Sequence, residues 1–338
     1  MYGPGDVRVV DRDEPRIVEP TDAVIRLTAS CICGSDLWPY RGAEPVEDQP
    51  MGHEYVGVVT ETGADVTSVE VGDFVIGSFV ISDGTCDICR AGYPSRCVHA
   101  EFVHGTIGTQ SERARIPCAD GTLVATPGMP DDDLVPSLLA ASDVLGTGWF
   151  AAVAAEVGLG KTVAVVGDGA VGLLGILAAR ELGAERIIAM SRHADRQSLA
   201  GEFGATDIVE ERGDDAVEAV MRLTDGAGVD AALECVGTDQ SIETAAGITR
   251  AGGMIGAVGV PLYEEFEYKT LFWKNIGIKG GVAPARQYIP ELLDDVLEGR
   301  INPGLVFDLT TDLDHVAEAY AAMDERRAIK SLLAVSQP

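Results

Sequence analysis

Residues 162–172, Thr162-Val163-Ala164-Val165-Val166-Gly167-Asp168-Gly169-Ala170-Val171-Gly172, decide the fold class of this chain. Five apolar or β-branched residues read as a buried strand. The G-x-G-x-x-G turn after them opens an apolar helix, read over Leu173–Leu182. In that context each glycine has its own duty: Gly167 permits the tight turn, Gly169 lets backbone approach a pyrophosphate, and Gly172 packs helix against strand. The N–H groups of the helix start, from Ala170 and Val171, and the positive end of its dipole then face the phosphates. A glycine turn with a purely structural duty is the alternative reading.

Working outward, Arg186–Met190, Val229–Glu234, Met254–Val258 and Ile276–Lys279 read as further strands. Helical stretches near Asp195–Phe203, Asp215–Leu223 and Ser241–Thr249 alternate with them. Such alternation predicts an α/β fold with a doubly wound parallel sheet. Residues 1–75 differ. Short β-branched runs such as Ala23–Leu27 and Tyr55–Thr62, broken by Gly, Pro and Asp, predict a mostly antiparallel domain. After Pro284 the chain turns helical (Tyr288–Glu298, Leu313–Met323) and ends on a short strand, Ser331–Val335.

The end of the second strand of the parallel sheet bears on the cofactor. A site for NAD usually places Asp or Glu there, on the ribose 2′-hydroxyl. This chain has Ser191, Arg192 and His193 instead, three donors and no carboxylate. That reads as a pocket for the 2′-phosphate of NADP in preference to NAD; a solvated strand end is the other reading.

At 338 residues the chain exceeds the roughly 250–300 at which single cores stop growing, so two domains are expected. No apolar run reaches the ~18 residues of a membrane span, and no signal pattern opens the chain. The balance of 54 acidic to 25 basic residues, net −29, disfavours nucleic acid and anionic membranes as partners. Five lysines in such a chain suggest a surface adapted to high internal salt; a GC-rich genome would bias composition the same way. Seven cysteines, two of them in C-x2-C array, read as metal ligands in a reducing cytoplasm, not as a disulfide framework. Cys31, Cys118 and Cys235 lie in apolar strand contexts and read as buried thiols.

Asp83, Cys86, Cys89 and Cys97 pack four ligand groups into one short lobe, enough to close a tetrahedral zinc site. A lobe this small gains little from burial, so a structural metal would account for it. Reduced, uninvolved thiols are the competing reading.

A second cluster is dispersed: Cys33-Gly34-Ser35-Asp36, Gly52-His53-Glu54, and Asp143 ahead of Gly146-Thr147-Gly148-Trp149. With Glu70–Val75, the cysteine lobe and Val258-Gly259-Val260-Pro261, the chain resembles zinc-dependent medium-chain alcohol dehydrogenases nearly end to end. Within that family it resembles the formaldehyde-dehydrogenase-like and threonine-dehydrogenase-like members. The resemblance implies a GroES-like β catalytic domain over 1–143 with a structural lobe at 83–97. It further implies a Rossmann dinucleotide-binding domain over 144–284 and a return to the catalytic domain over 285–338. It assigns a catalytic zinc to Cys33, His53 and Asp143, with Glu54 as a nearby or exchanging ligand and one position left open. Ser35 matches the hydroxyl that takes the substrate proton, Thr147 a residue behind the nicotinamide, and Lys330 a basic residue reaching the pyrophosphate. Val258 and Val260 fall at the cofactor too.

The chain departs from that family in three places. Asp83 replaces the first of four lobe cysteines. Trp38 stands where many members carry a relay histidine, which leaves the route from Ser35 to solvent unassigned. The opening, Met1-Tyr2-Gly3-Pro4, lacks part of the first strand of relatives.

The function expected is hydride transfer between a small alcohol and its aldehyde or ketone, with NADP, in a cytoplasmic homodimer or homotetramer. A polyol, sugar or amino-alcohol dehydrogenase of the same superfamily is the near alternative. A zinc-free quinone or enone reductase, or a non-catalytic cofactor-binding protein, is the distant one, and the four retained ligand residues count against it.

Overall fold

The computed structural model describes residues 1–262 and 268–336. Contacts divide the chain into two units, Met1–Asp143 with Pro284–Pro338, and Val144–Ala283.

The first unit is built on a seven-stranded sheet. Its central strand, Ala23–Cys31, is buried along almost its whole length, which is why it reads as a continuous apolar run and not as an alternation. It pairs antiparallel with Tyr55–Thr62, with Arg113–Ile116 and with the late strand Ser331–Ala334. Ile25, Leu27, Tyr55, Val75, Ile116 and Leu123 form the core beneath it. Register carries the functional consequence. Ser30 pairs with Tyr55 and Cys31 with Leu332. Antiparallel pairing therefore brings the residues after Cys31, those before Tyr55 and those before Ser331 to one end of the sheet. Cys33, His53, Glu54 and Lys330 meet there although they come from three separate parts of the sequence. The helix Val135–Ala141 packs against the same two strands and delivers Asp143 just past its end.

The second unit is a six-stranded sheet in the order Asp207–Val209, Arg186–Met190, Thr162–Val166, Val229–Glu234, Thr249–Ala257, Gly277–Gly280. Every neighbouring pair is parallel. The order reverses direction beside the first strand, Thr162–Val166, as in dinucleotide-binding sheets. The unit is a Rossmann fold, and the first unit is a GroES-like β domain. The core of the Rossmann unit runs through Ala164, Val166, Ile188, Met190, Ala232 and Ile255.

Two elements of this unit leave no periodic trace. Asp207–Val209 is a three-residue edge strand, too short to show alternation. The helix Val144–Ala154 contains Gly146 and Gly148, poor helix formers, yet it is almost wholly buried. A Cβ on Gly148 would come within 2.6 Å of Gly175 N, so the glycine permits a close helix–helix approach that outweighs its propensity. Cys118 is a correction of another kind: it lies in no strand but at a turn before a short helix, with φ of 50°, and is only partly buried. No single helix among the described residues is long and apolar enough to cross a membrane.

Candidate active site and metal centres

Within the first unit, one ligand atom each from Cys33, His53, Glu54 and Asp143 lies within 4.8 Å of the others. His53 Nε2 is 3.5 Å from Asp143 Oδ2 and 4.0 Å from Glu54 Oε1. Metal–ligand bonds of about 2.0–2.3 Å give tetrahedral edges of about 3.3–3.8 Å; the His53–Asp143 spacing falls in that range and Glu54 stands just outside it. Thiolate, imidazole and carboxylate together are the donor set zinc favours. Glu54 Oε2 is buried with no hydrogen-bond partner among the described residues. Electrostatics agree with the geometry. Burial alone would lower the pKa of His53, but Cys33, Asp36 and Asp143 outweigh it and hold the imidazole well above its ordinary value. The pocket is short of positive charge, and a divalent cation would supply it.

Ser35 sits in the turn that follows Cys33, half-buried, with Trp38 N bonded to its carbonyl oxygen at 3.2 Å. The Lys330 ammonium is buried on Glu54, Nζ to Oε1 2.6 Å, with Ile32 O at 3.3 Å. Glu54, Cys31 and Cys33 hold the amine protonated against desolvation.

In the lobe, Asp83, Cys86, Cys89 and Cys97 also converge within 4.8 Å. Cys86 Sγ is 3.5 Å from Cys89 Sγ and 3.9 Å from Cys97 Sγ, and Cys89 Sγ is 3.6 Å from Asp83 Oδ1. These are again tetrahedral edges. Backbone N–H groups of Asp83 and His99 point at Cys97 Sγ, and Cys89 N points at Cys86 Sγ. Such donors stabilise thiolates, and Cys86 is lowered to about 7 chiefly by the Cys89 N–H. His99, which no motif singles out, lies with Nδ1 2.8 Å from Asp83 Oδ2, leaving Oδ1 on the thiol side.

In the second unit Gly167 has φ of 120°, a conformation that favours glycine. A Cβ on Gly172 would strike Gly167 O at 2.0 Å. Gly169 is different: its φ is ordinary and a Cβ there would meet nothing within 4 Å. Packing within the chain does not require that glycine, which leaves an open cradle over an uncapped helix start. Val258, buried, and Val260, half-exposed, follow the strand Thr249–Ala257. Thr147 is buried in the helix Val144–Ala154. Between the turns at Gly237 and Gly259, the buried Glu234 accepts Val236 N and Gly237 N at 2.8 Å each, a role the sequence does not announce.

The second-strand pocket needs a correction. Arg192 is exposed and makes no ion pair among the described residues, and His193 caps no helix with its side chain. Ser191, however, donates its hydroxyl to Asp168 Oδ2 at 2.8 Å. A carboxylate does stand at the strand end, supplied by the fingerprint turn. Arg196 Nη1 partly neutralises it, 3.2 Å from both Asp168 Oδ1 and Asp168 O.

Residues 19–128 match the alcohol dehydrogenase GroES-like domain, and residues 170–298 the zinc-binding dehydrogenase family. A probable zinc-binding alcohol dehydrogenase of Mycobacterium tuberculosis is 34% identical over 96% of this chain and 84% of its own length. A zinc-type alcohol dehydrogenase of Aspergillus flavus is 33% identical over 98% and 79%. Among solved structures, the alcohol dehydrogenase TADH from Thermus sp. ATN1 superposes with a TM-score of 0.91 at 31% identity, covering 99% of this chain and 98% of that one. The chain belongs to the zinc-dependent medium-chain alcohol dehydrogenase family.

Proposed function

We propose that the chain interconverts a small alcohol and its aldehyde or ketone with NADP as the preferred cofactor. Cys33, His53 and Asp143 would hold the catalytic zinc, with Glu54 as the nearby carboxylate. The observation that carries this reading is the convergence of those four donors in a cluster short of positive charge. Zinc bound there supplies Lewis acidity, lowering the pKa of a hydroxyl by several units. Ser35 takes the proton that leaves. Lys330 neutralises Glu54 and keeps that carboxylate from standing as an uncompensated charge beside Asp143. In the second unit Gly169 and the N–H groups of Ala170, Val171 and Gly172 bind pyrophosphate. Arg192 reads the 2′-phosphate with Ser191 and His193 beside it. Thr147, Val258 and Val260 are assigned to the nicotinamide end. Asp83, Cys86, Cys89 and Cys97 would hold a second, structural zinc. The working form is a cytoplasmic homodimer or homotetramer with a salt-adapted surface.

One observation favours a second reading of the cofactor. Asp168, bonded to Ser191, is a carboxylate at the strand end where dinucleotide-binding sheets place one for a ribose hydroxyl, which suits NAD. Arg196 on the same carboxylate argues the other way.

The test of the central reading is zinc content and alcohol-dependent NADP reduction in Cys33→Ala and His53→Ala. Loss of one zinc per chain together with activity is expected. An active Cys33→Ala protein without that zinc overturns the assignment.

A further inference from the structure

We propose that His104 is a positioning residue for the metal centre, holding Asp36 and, through it, the ring of His53. The inference rests on His53 being a zinc ligand. Asp36 is fully buried and its two oxygens are occupied differently. Oδ2 accepts Cys33 N at 2.9 Å and Gln110 Nε2 at 3.3 Å. Gln110 is itself anchored, donating to Cys31 O at 3.1 Å and accepting the Tyr320 hydroxyl at 3.0 Å. Oδ1 faces two imidazoles instead, His104 Nδ1 at 2.9 Å and His53 Nδ1 at 3.5 Å. Asp36 Oδ1, His53 Nδ1 and His104 Nδ1 are all buried, and none has a hydrogen-bond partner among the described residues, one another included, so the charge of the carboxylate is what draws the two rings to it. The two rings meet edge to face, centroids 5.5 Å apart at 74°.

This arrangement fixes His53 from behind. Its Nε2 points to Asp143 and Glu54, so the direction of that nitrogen is set by what Nδ1 meets. Asp36 alone bounds Nδ1 on one side; His104 closes the other side of the same oxygen. The segment that carries His104 is held in place for the task. Val103 N bonds Phe79 O at 3.0 Å. Gly105 and Gly108, both at positive φ, lie so close to Gln49 and Pro50 that a Cβ would sit 2.4 Å and 2.5 Å from them. The loop of His104 is thus laid directly on the segment leading into His53.

The experiment compares the zinc-loaded full-length chain with His104→Phe and His104→Asn, reading the rate of zinc release to a chromogenic chelator and the visible spectrum after cobalt(II) exchange. His104→Phe should release the catalytic zinc roughly 10-fold faster or more and shift the cobalt bands. His104→Asn places an amide where Nδ1 stood and should restore both. Wild-type release and spectrum in His104→Phe overturn the inference. So does an extra equivalent of zinc in the wild type that His104→Phe removes, since His104 would then be a ligand itself. If Cys33→Ala keeps the full zinc content, the site assignment fails instead, whatever His104 does.

Discussion

Lys330 and Glu54 form an ion pair of 2.6 Å in which both side chains are sealed from solvent. One partner precedes the late strand Ser331–Ala334 and the other precedes Tyr55–Thr62, so the pair ties the far ends of the sequence at the candidate active site. Removing one member of a buried pair leaves a charge that neither water nor protein compensates. Lys330→Met should therefore lower the stability of the zinc-loaded protein by about 3–5 kcal/mol, and adding Glu54→Gln should recover most of the loss. Guanidinium denaturation of the single and double variants measures both. Equal stability of wild type and Lys330→Met would show that the pair contributes nothing.

The lobe makes a stoichiometric prediction. Aspartate oxygen reaches zinc at about 2.0–2.2 Å, against about 2.3 Å for thiolate, so Asp83 can complete a site with three cysteines. Metal analysis should find two zincs per chain, falling to one in Cys89→Ser with the catalytic ion retained. A single zinc in the wild type, lost with Cys33, would mean a metal-free lobe.

Cofactor choice turns on Arg192. A charge-assisted hydrogen bond to phosphate contributes about 1.5–3 kcal/mol, so Arg192→Ala should cut kcat/KM for NADP by roughly 10- to 150-fold. Efficiency with NAD should change little. If steady-state kinetics give the wild type equal efficiency with both cofactors, the reading from Asp168 prevails.

With a net charge of −29, self-repulsion should weaken as added salt shortens the Debye length from ~10 Å at 0.1 M to ~3 Å at 1 M. The melting temperature should rise between about 0.1 and 2 M KCl. A flat or falling curve would dismiss salt adaptation and leave the enzymology untouched.

Several strands long enough to carry a pattern were legible in the sequence, whereas the glycine-containing helix Val144–Ala154 was not. Thr162–Val166, Arg186–Met190, Val229–Glu234 and Tyr55–Thr62 stand where the apolar runs put them. Asp207–Val209 was not, because three residues hold no period. The zinc-ligand candidates were legible through motif and order. Their surroundings were not: His104 follows no pattern, and only the sheet register and a glycine-rich loop bring it to Asp36. Asp168 shows the converse. It occupies a variable position of a recognised motif, and its meeting with Ser191 comes from parallel pairing of the strands Thr162–Val166 and Arg186–Met190. Pairwise meetings of this kind are set by tertiary geometry, which spacing along the chain does not encode.

The first unit is completed by a strand that begins at Ser331, near the end of the chain. Everything between Val144 and Ala283 emerges from the ribosome before that strand does. At about 5–20 residues per second, the Rossmann unit has seconds in which to form while the other sheet still lacks an inner strand. Until that strand is translated, the nascent chain exposes the Ala29–Cys31 part of its central strand, together with Glu54, whose cation has not yet been made. Truncation ahead of Ser331 would remove an interior strand and not a tail.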